Sequence, residues 1–129
     1  MNYVDGFVIP MPEGGVGNYR KMAEFAGKLW MEHGALAYTE CVLEDGTPKM
    51  PEGVPAEFSM KKFADIAGAG AGETVIFAFI VFKSRAHRDE VNAKVHADPR
   101  LHEACGPDME MPFNPANAAY GGFRAIVNF

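Results

Sequence analysis

The sequence predicts an α+β fold of the ferredoxin-like type, βαββαβ, and three observations predict it. Strand-like alternation and helix-like spacing follow one another as strand, helix, strand, then a proline- and glycine-rich excursion, then strand, helix, strand. The run Val75 to Phe82 is apolar at eight successive positions, the pattern of a central strand covered on both faces. The chain is 129 residues long, which suits a single domain over 1–129. Right-handed crossovers then put both main helices on one face of a four-stranded antiparallel sheet in the order 4-1-3-2.

The first strand runs from Tyr3 to Ile9 and ends at Pro10, with Tyr3, Asp5, Phe7 and Ile9 opposite Val4, Gly6 and Val8. Val16, Tyr19, Met22, Ala23, Ala26, Leu29, Trp30 and His33 recur at helical spacing, with charges on the other side, and Gly34 suits the C-terminal cap. Gly27 inside this helix costs about 1 kcal/mol relative to Ala, which is tolerable if helix and sheet approach closely there. The second strand spans Ala35 to Glu44, with Ala37, Thr39 and Cys41 opposite Tyr38, Glu40 and Val42, and Asp45-Gly46 turns the chain.

The excursion at about 46–72 holds Pro48, Pro51 and Pro55, room for a short helix near 58–67, and the connector Gly68-Ala-Gly-Ala-Gly72. This connector is no phosphate loop, because a strand follows it rather than Lys-Ser/Thr and a helix. Glu73 to Phe82 is the third strand. Ser84 caps a second helix, Arg85 to His96, and Asp98-Pro99 ends it or starts one further turn through His102. The segment from Gly106 to Pro115 reads as an irregular loop, and Ala118 to Phe129 as the last strand.

Helices on one face leave the other bare, and the third strand makes that bare face apolar at its centre. A second copy packed there would remove the exposed patch, so a homodimer closing an α+β barrel is expected.

Composition excludes several classes. Hydrophobic residues make up 48% and charged residues 22%, which rules out disorder. The net charge is −5, from 12 basic and 17 acidic residues spread evenly along the chain, so no nucleic acid is expected as a partner. Asp5 interrupts the N-terminal apolar stretch and the longest apolar run is eight residues, so neither a secretory signal nor a membrane span is expected. Cys41 and Cys105 are too few for a disulfide framework and read as free thiols of a cytoplasmic protein.

The runs Tyr3-Val-Asp-Gly-Phe-Val-Ile-Pro10, His33-Gly-Ala-Leu36, Lys83-Ser-Arg-Ala-His-Arg-Asp-Glu-Val-Asn92, Met111-Pro-Phe113 and Tyr120-Gly-Gly-Phe123 resemble the bacterial family known as domain of unknown function 1428. The resemblance covers nearly the whole chain and is weakest between Thr47 and Gly72, where this chain reads as carrying extra residues. It implies the dimeric α+β-barrel superfamily and brings no activity with it. Cofactor-free oxygenases, stress-linked barrels and haem-handling barrels share that superfamily, but their motifs are not seen in this sequence.

Candidate chemistry is sparse. His96, His102 and Cys105 fall short of a convincing zinc set, so no metal and no cofactor is expected. Cys41, on the strand face assigned to the helices, reads as a small core hydrophobe. His33 reads as a helix-end cap packed beside Trp30. Arg85, His87 and Arg88 in the first turn of the second helix are candidates for holding an anion.

The most suggestive set is Asp5 on the first strand, Tyr38 and Glu40 on the second and Tyr120 and Arg124 on the fourth, each on the more polar face of its strand. On a shared face they would line the barrel lumen, where Asp5 and Arg124 on adjacent strands could pair and the tyrosines orient a ligand. The expected function is therefore binding of a small polar or amphipathic molecule in the lumen. A non-catalytic, stress-associated or interaction barrel is the alternative. A cofactor-free monooxygenase-like or isomerase-like enzyme is a second, with Asp5 or Glu40 as base and Arg124 stabilising negative charge.

Overall fold

A computed structural model describes residues 1–55, 59–105 and 111–129, with the side chains of Ala104 and Cys105 outside the description. The elements are β1 (Tyr3–Pro12), α1 (Val16–Glu32), β2 (Ala37–Val42), α2 (Phe63–Ala67), β3 (Glu73–Phe82), α3 (Arg85–Ala97), α4 (Pro99–Cys105) and β4 (Ala119–Arg124). The sheet order is β2-β3-β1-β4, all pairs antiparallel, as the crossover argument requires.

Several boundaries differ from expectation. β2 spans Ala37–Val42 rather than Ala35 to Glu44, with Leu36 and Leu43 each adding one backbone bond to β3 beyond it. β1 continues through Pro10 to Pro12, because β4 pairs only with Tyr3 to Val8 and the last residues of β1 form an edge that can do without an N–H donor. β4 stops at Arg124; a single backbone bond, Ala125 N–H to the Asn2 carbonyl, extends the pairing, and Ile126, Val127 and Phe129 are exposed. The turn expected through His102 is a full short helix, α4.

The capping signals act as read. Gly34 takes φ of 115° directly after the α1 cap residue His33. The Ser84 hydroxyl accepts from the His87 N–H at 3.1 Å, and the His87 Nδ1 accepts in return from the Lys83 N–H at 3.0 Å. At Gly27 the helix does approach the sheet: a Cβ there would lie 2.7 Å from the Tyr38 ring.

Paired residues of an antiparallel ladder share a face, so the register defines two sets. Tyr3, Asp5, Phe7, Ile9 and Met11 of β1 stand with Ile76, Ala78, Ile80 and Phe82 of β3, with Tyr38, Glu40 and Val42 of β2, and with Tyr120, Gly122 and Arg124 of β4. This set faces α1 and α3. Its core falls into two clusters, one around Ile9, Met11, Tyr19 and Ile76, the other around Leu29, Ile80, Phe82 and Val91, and Phe7 packs against both.

The other face carries Val4, Val8, Val75, Phe77, Phe79, Val81 and Phe123. One end of it is covered from within the chain. α2, inside the Pro/Gly-rich excursion, sets Phe63 edge-on to Phe77 with ring centroids 6.2 Å apart, beside the buried Val75. That helix is shorter than the 58–67 stretch expected, and Met60 lies outside it, exposed. The remainder is open, with Phe77 44% and Phe123 62% exposed.

The orientation of the sheet corrects two expectations. Cys41 does not pack on the helices: it lies on the outer face opposite Phe77 and is exposed and free. The polar set built on Asp5 does not face outward into a lumen between copies; it faces the helices.

Candidate functional site

Two polar clusters occupy the helix face, one at each side of the sheet. On β2, the edge strand, Glu40 accepts from the Tyr19 hydroxyl at 2.7 Å and from the Tyr38 hydroxyl at 2.8 Å. Tyr19 comes from α1; Tyr38 and Glu40 project to the same side because they are two apart on a strand. Burial pushes the Glu40 carboxyl above its usual range, and the two phenol donors offset part of that effect.

The second cluster is Asp5 with Arg88 and Tyr120. Asp5 is 1% exposed. Its Oδ1 accepts from Arg88 Nη1 at 2.6 Å and its Oδ2 from the Tyr120 hydroxyl at 3.1 Å, while Arg88 Nη1 also reaches the Tyr120 oxygen at 3.1 Å. The Arg88 guanidinium lies over the Tyr3 ring, 5.0 Å from its centroid. Gly122, the register partner of Asp5, makes room for that ring, since a Cβ there would collide with Tyr3. Burial opposes the charge of Arg88, but its bond to Asp89 and the charge of Asp5 hold its pKa above the ordinary value. Burial, then the Asp5 charge, raises the Tyr120 phenol.

Between the clusters lies a chamber of about 500 Å³, roofed by α1, α4 and the segment around Phe113 and floored by the sheet. Glu40, Ala78, Phe7 and Tyr120 form one transverse row of this floor, in register across all four strands. The smallest of them, Ala78, leaves the space. The walls are aromatic: Phe7 stacks on Tyr120 at 4.8 Å, Tyr19 meets Phe113 at 5.8 Å, and Trp30 meets Tyr38 at 6.1 Å. A surface groove of about 700 Å³ between α1 and β2 shares Tyr19, Tyr38 and Glu40 with the chamber, so these three side chains form the partition between the two.

The structure therefore brings Tyr38, Glu40 and Tyr120 to one chamber and puts Asp5 behind Tyr120. Arg124 is not the partner of Asp5. It pairs in register with Tyr3 and lines a separate surface pocket with Ser84 and Arg85. The anion candidates diverge: Arg85 points to that pocket, His87 serves the helix cap, and Arg88 turns inward to Asp5. His33 bonds Asp98 at 2.8 Å, which in turn accepts from Arg100, tying the end of α1 to α4. Among the described residues no cluster of three metal-ligating side chains exists; the Cys105 side chain, half of the His102/Cys105 spacing, lies outside them. No helix among the described residues is long and apolar enough to cross a membrane.

Tyr19 and Ala78 carry no signal in the sequence beyond that of ordinary core positions. Arg88 is one of the three anion candidates, and the anion it holds is Asp5 of the same chain. The sequence signal for that pairing is Asp5 itself, a carboxylate on a buried strand that calls for a cation.

Comparison with known proteins places these features in a family. The family described as "Protein of unknown function (DUF1428)" matches residues 2–115. The "Uncharacterized protein YbaA" of Escherichia coli (strain K12) is 37% identical over 128 residues, covering 99% of this chain and 99% of that one. The proteins of the same description from Escherichia coli O157:H7 and Shigella flexneri match to the same extent. Near-complete coverage of both partners means the segment from Thr47 to Gly72 adds no overall length relative to these relatives.

Proposed function

The chain belongs to the DUF1428 family of proteins of unknown function, and from that premise we propose that it binds a small amphipathic molecule in the chamber between its helices and its sheet. The observation that carries this reading is the chamber of about 500 Å³ with aromatic walls and a polar group at each end of one sheet row. That volume and that ratio of apolar wall to convergent polar groups are typical of small-molecule sites. Glu40 and His96 are the candidate bases among the described residues facing the chamber, so a proton-transfer reaction would draw on one of them, whereas Asp5 is already committed to Arg88 and Tyr120.

The protein is taken to act as a homodimer in the cytoplasm. The open apolar face supports self-association, since Phe77 and Phe123 are substantially exposed and the chain continues into exposed Ile126 and Val127. The free, exposed Cys41 is in keeping with a reducing compartment.

Native mass spectrometry of freshly purified protein tests the binding reading. A small molecule should be carried by the native chain and lost from Ala78→Leu, which fills the floor. If both chains fly empty and no small-molecule panel raises the melting temperature of either, the chamber is not a binding site.

A further inference from the structure

The balance of charge around the chamber narrows what it takes. Of the described residues lining it, none is Lys or Arg; the ionisable ones besides the tyrosines are Glu40 and His96. At the far end Asp5 and Arg88 neutralise each other. Among the described residues the charge facing the chamber is thus that of the Glu40 carboxylate, with the His96 imidazole edge-on to Trp30. Aromatic faces carry negative quadrupole potential and attract cations, most strongly where water is excluded. At that end Tyr19 and Tyr38 bond Glu40, and the Trp30 ring lies beside that of Tyr38.

We infer that the chamber is an amine site: it takes an organic cation whose ammonium head bonds Glu40 among the rings of Tyr19, Tyr38 and Trp30 and whose apolar body lies over Ala78 toward Phe7 and Tyr120. The inference rests on the chamber reading above. Three strand spacings separate Glu40 from Tyr120, about 14 Å, room for an aromatic ring on a short chain. A cation would also offset the desolvation that raises the Glu40 carboxyl. An anionic molecule of the same shape would meet Glu40 as a like charge. A neutral one would lose the charge-assisted bond. Since Glu40 also lines the groove between α1 and β2, the head group would sit at the partition, within reach of solvent through the groove.

Calorimetric titration with three matched probes, 2-phenylethylamine, 2-phenylethanol and phenylacetate, tests this. The amine should bind at least tenfold more tightly than the alcohol, and the acid more weakly than either. Glu40→Gln should weaken the amine at least tenfold and leave the alcohol within twofold. Should the alcohol or the acid equal the amine on the native protein, the cation assignment falls while the chamber reading stands. The same holds if Glu40→Gln weakens amine and alcohol alike. If none of the three binds native protein and Ala78→Leu behaves identically, both fall. The three-probe comparison on native protein decides the matter even if Glu40→Gln folds poorly.

Discussion

Gly27 of α1 packs closely against Tyr38 of β2, with the phenol ring occupying the position a helix side chain would need: a Cβ on Gly27 would stand 2.7 Å from the ring. This contact sets how close α1 comes to the sheet edge and holds the Tyr38 hydroxyl on Glu40. A residue that weakens its helix locally is thus retained by a tertiary fit.

Gly27→Ala should therefore destabilise the protein, although alanine favours a helix interior by about 1 kcal/mol. The overlap should cost about 1–3 kcal/mol beyond that gain. Urea denaturation reads the difference directly. An unchanged or raised midpoint would show that the ring is free to move aside.

Asp5 and Arg88 should behave as a buried structural pair. Arg88→Ala leaves a carboxylate at 1% exposure without its cation and should cost about 3–5 kcal/mol. Arg124→Ala, on an exposed residue, should stay within about 0.5 kcal/mol. Double-mutant cycles with Asp5→Asn should give a large coupling to Arg88 and almost none to Arg124. A larger coupling to Arg124 would contradict the observed pairing.

Glu40 should make stability depend on pH. Burial raises its folded pKa above the unfolded value, so the fold favours the neutral acid. Its contribution is fully present below the ordinary carboxylate range and is lost as pH rises through the folded pKa. Melting temperatures of native protein and Glu40→Gln should therefore shift in favour of the variant between pH 4 and pH 8. A shift the other way would mean that Tyr19 and Tyr38 outweigh burial and hold the carboxylate charged.

The open sheet face should bury itself against a second copy. Sedimentation should give a dimer, and Phe123→Asp, which sets two like charges across a two-fold interface, should give a monomer. Cys41 lies on this face, so its labelling by a thiol reagent should be slower in native protein than in the variant. A native monomer at micromolar concentration with rapid labelling would overturn the expectation.

The sequence by itself determined the elements, their order and the partition of each strand into two faces. Strand alternation has a period of two, so Asp5 falls with Phe7, and Tyr38 with Glu40, whatever the rest of the chain does. Crossover handedness then set the sheet order. The same periodicity carries no sign: it says that two sets of side chains oppose each other, not which set meets the helices. β3 is apolar on both faces and could not break the tie, and treating the polar set as the outward one inverted the sheet. The tie is broken by Arg88, which reaches Asp5 from 83 residues away in sequence and makes the helix side the one that can hold a buried carboxylate. The chamber, too, exists only in three dimensions. Ala78 is an unremarked small residue in a strand until register sets it in one row with Glu40, Phe7 and Tyr120 beneath a roof of helices.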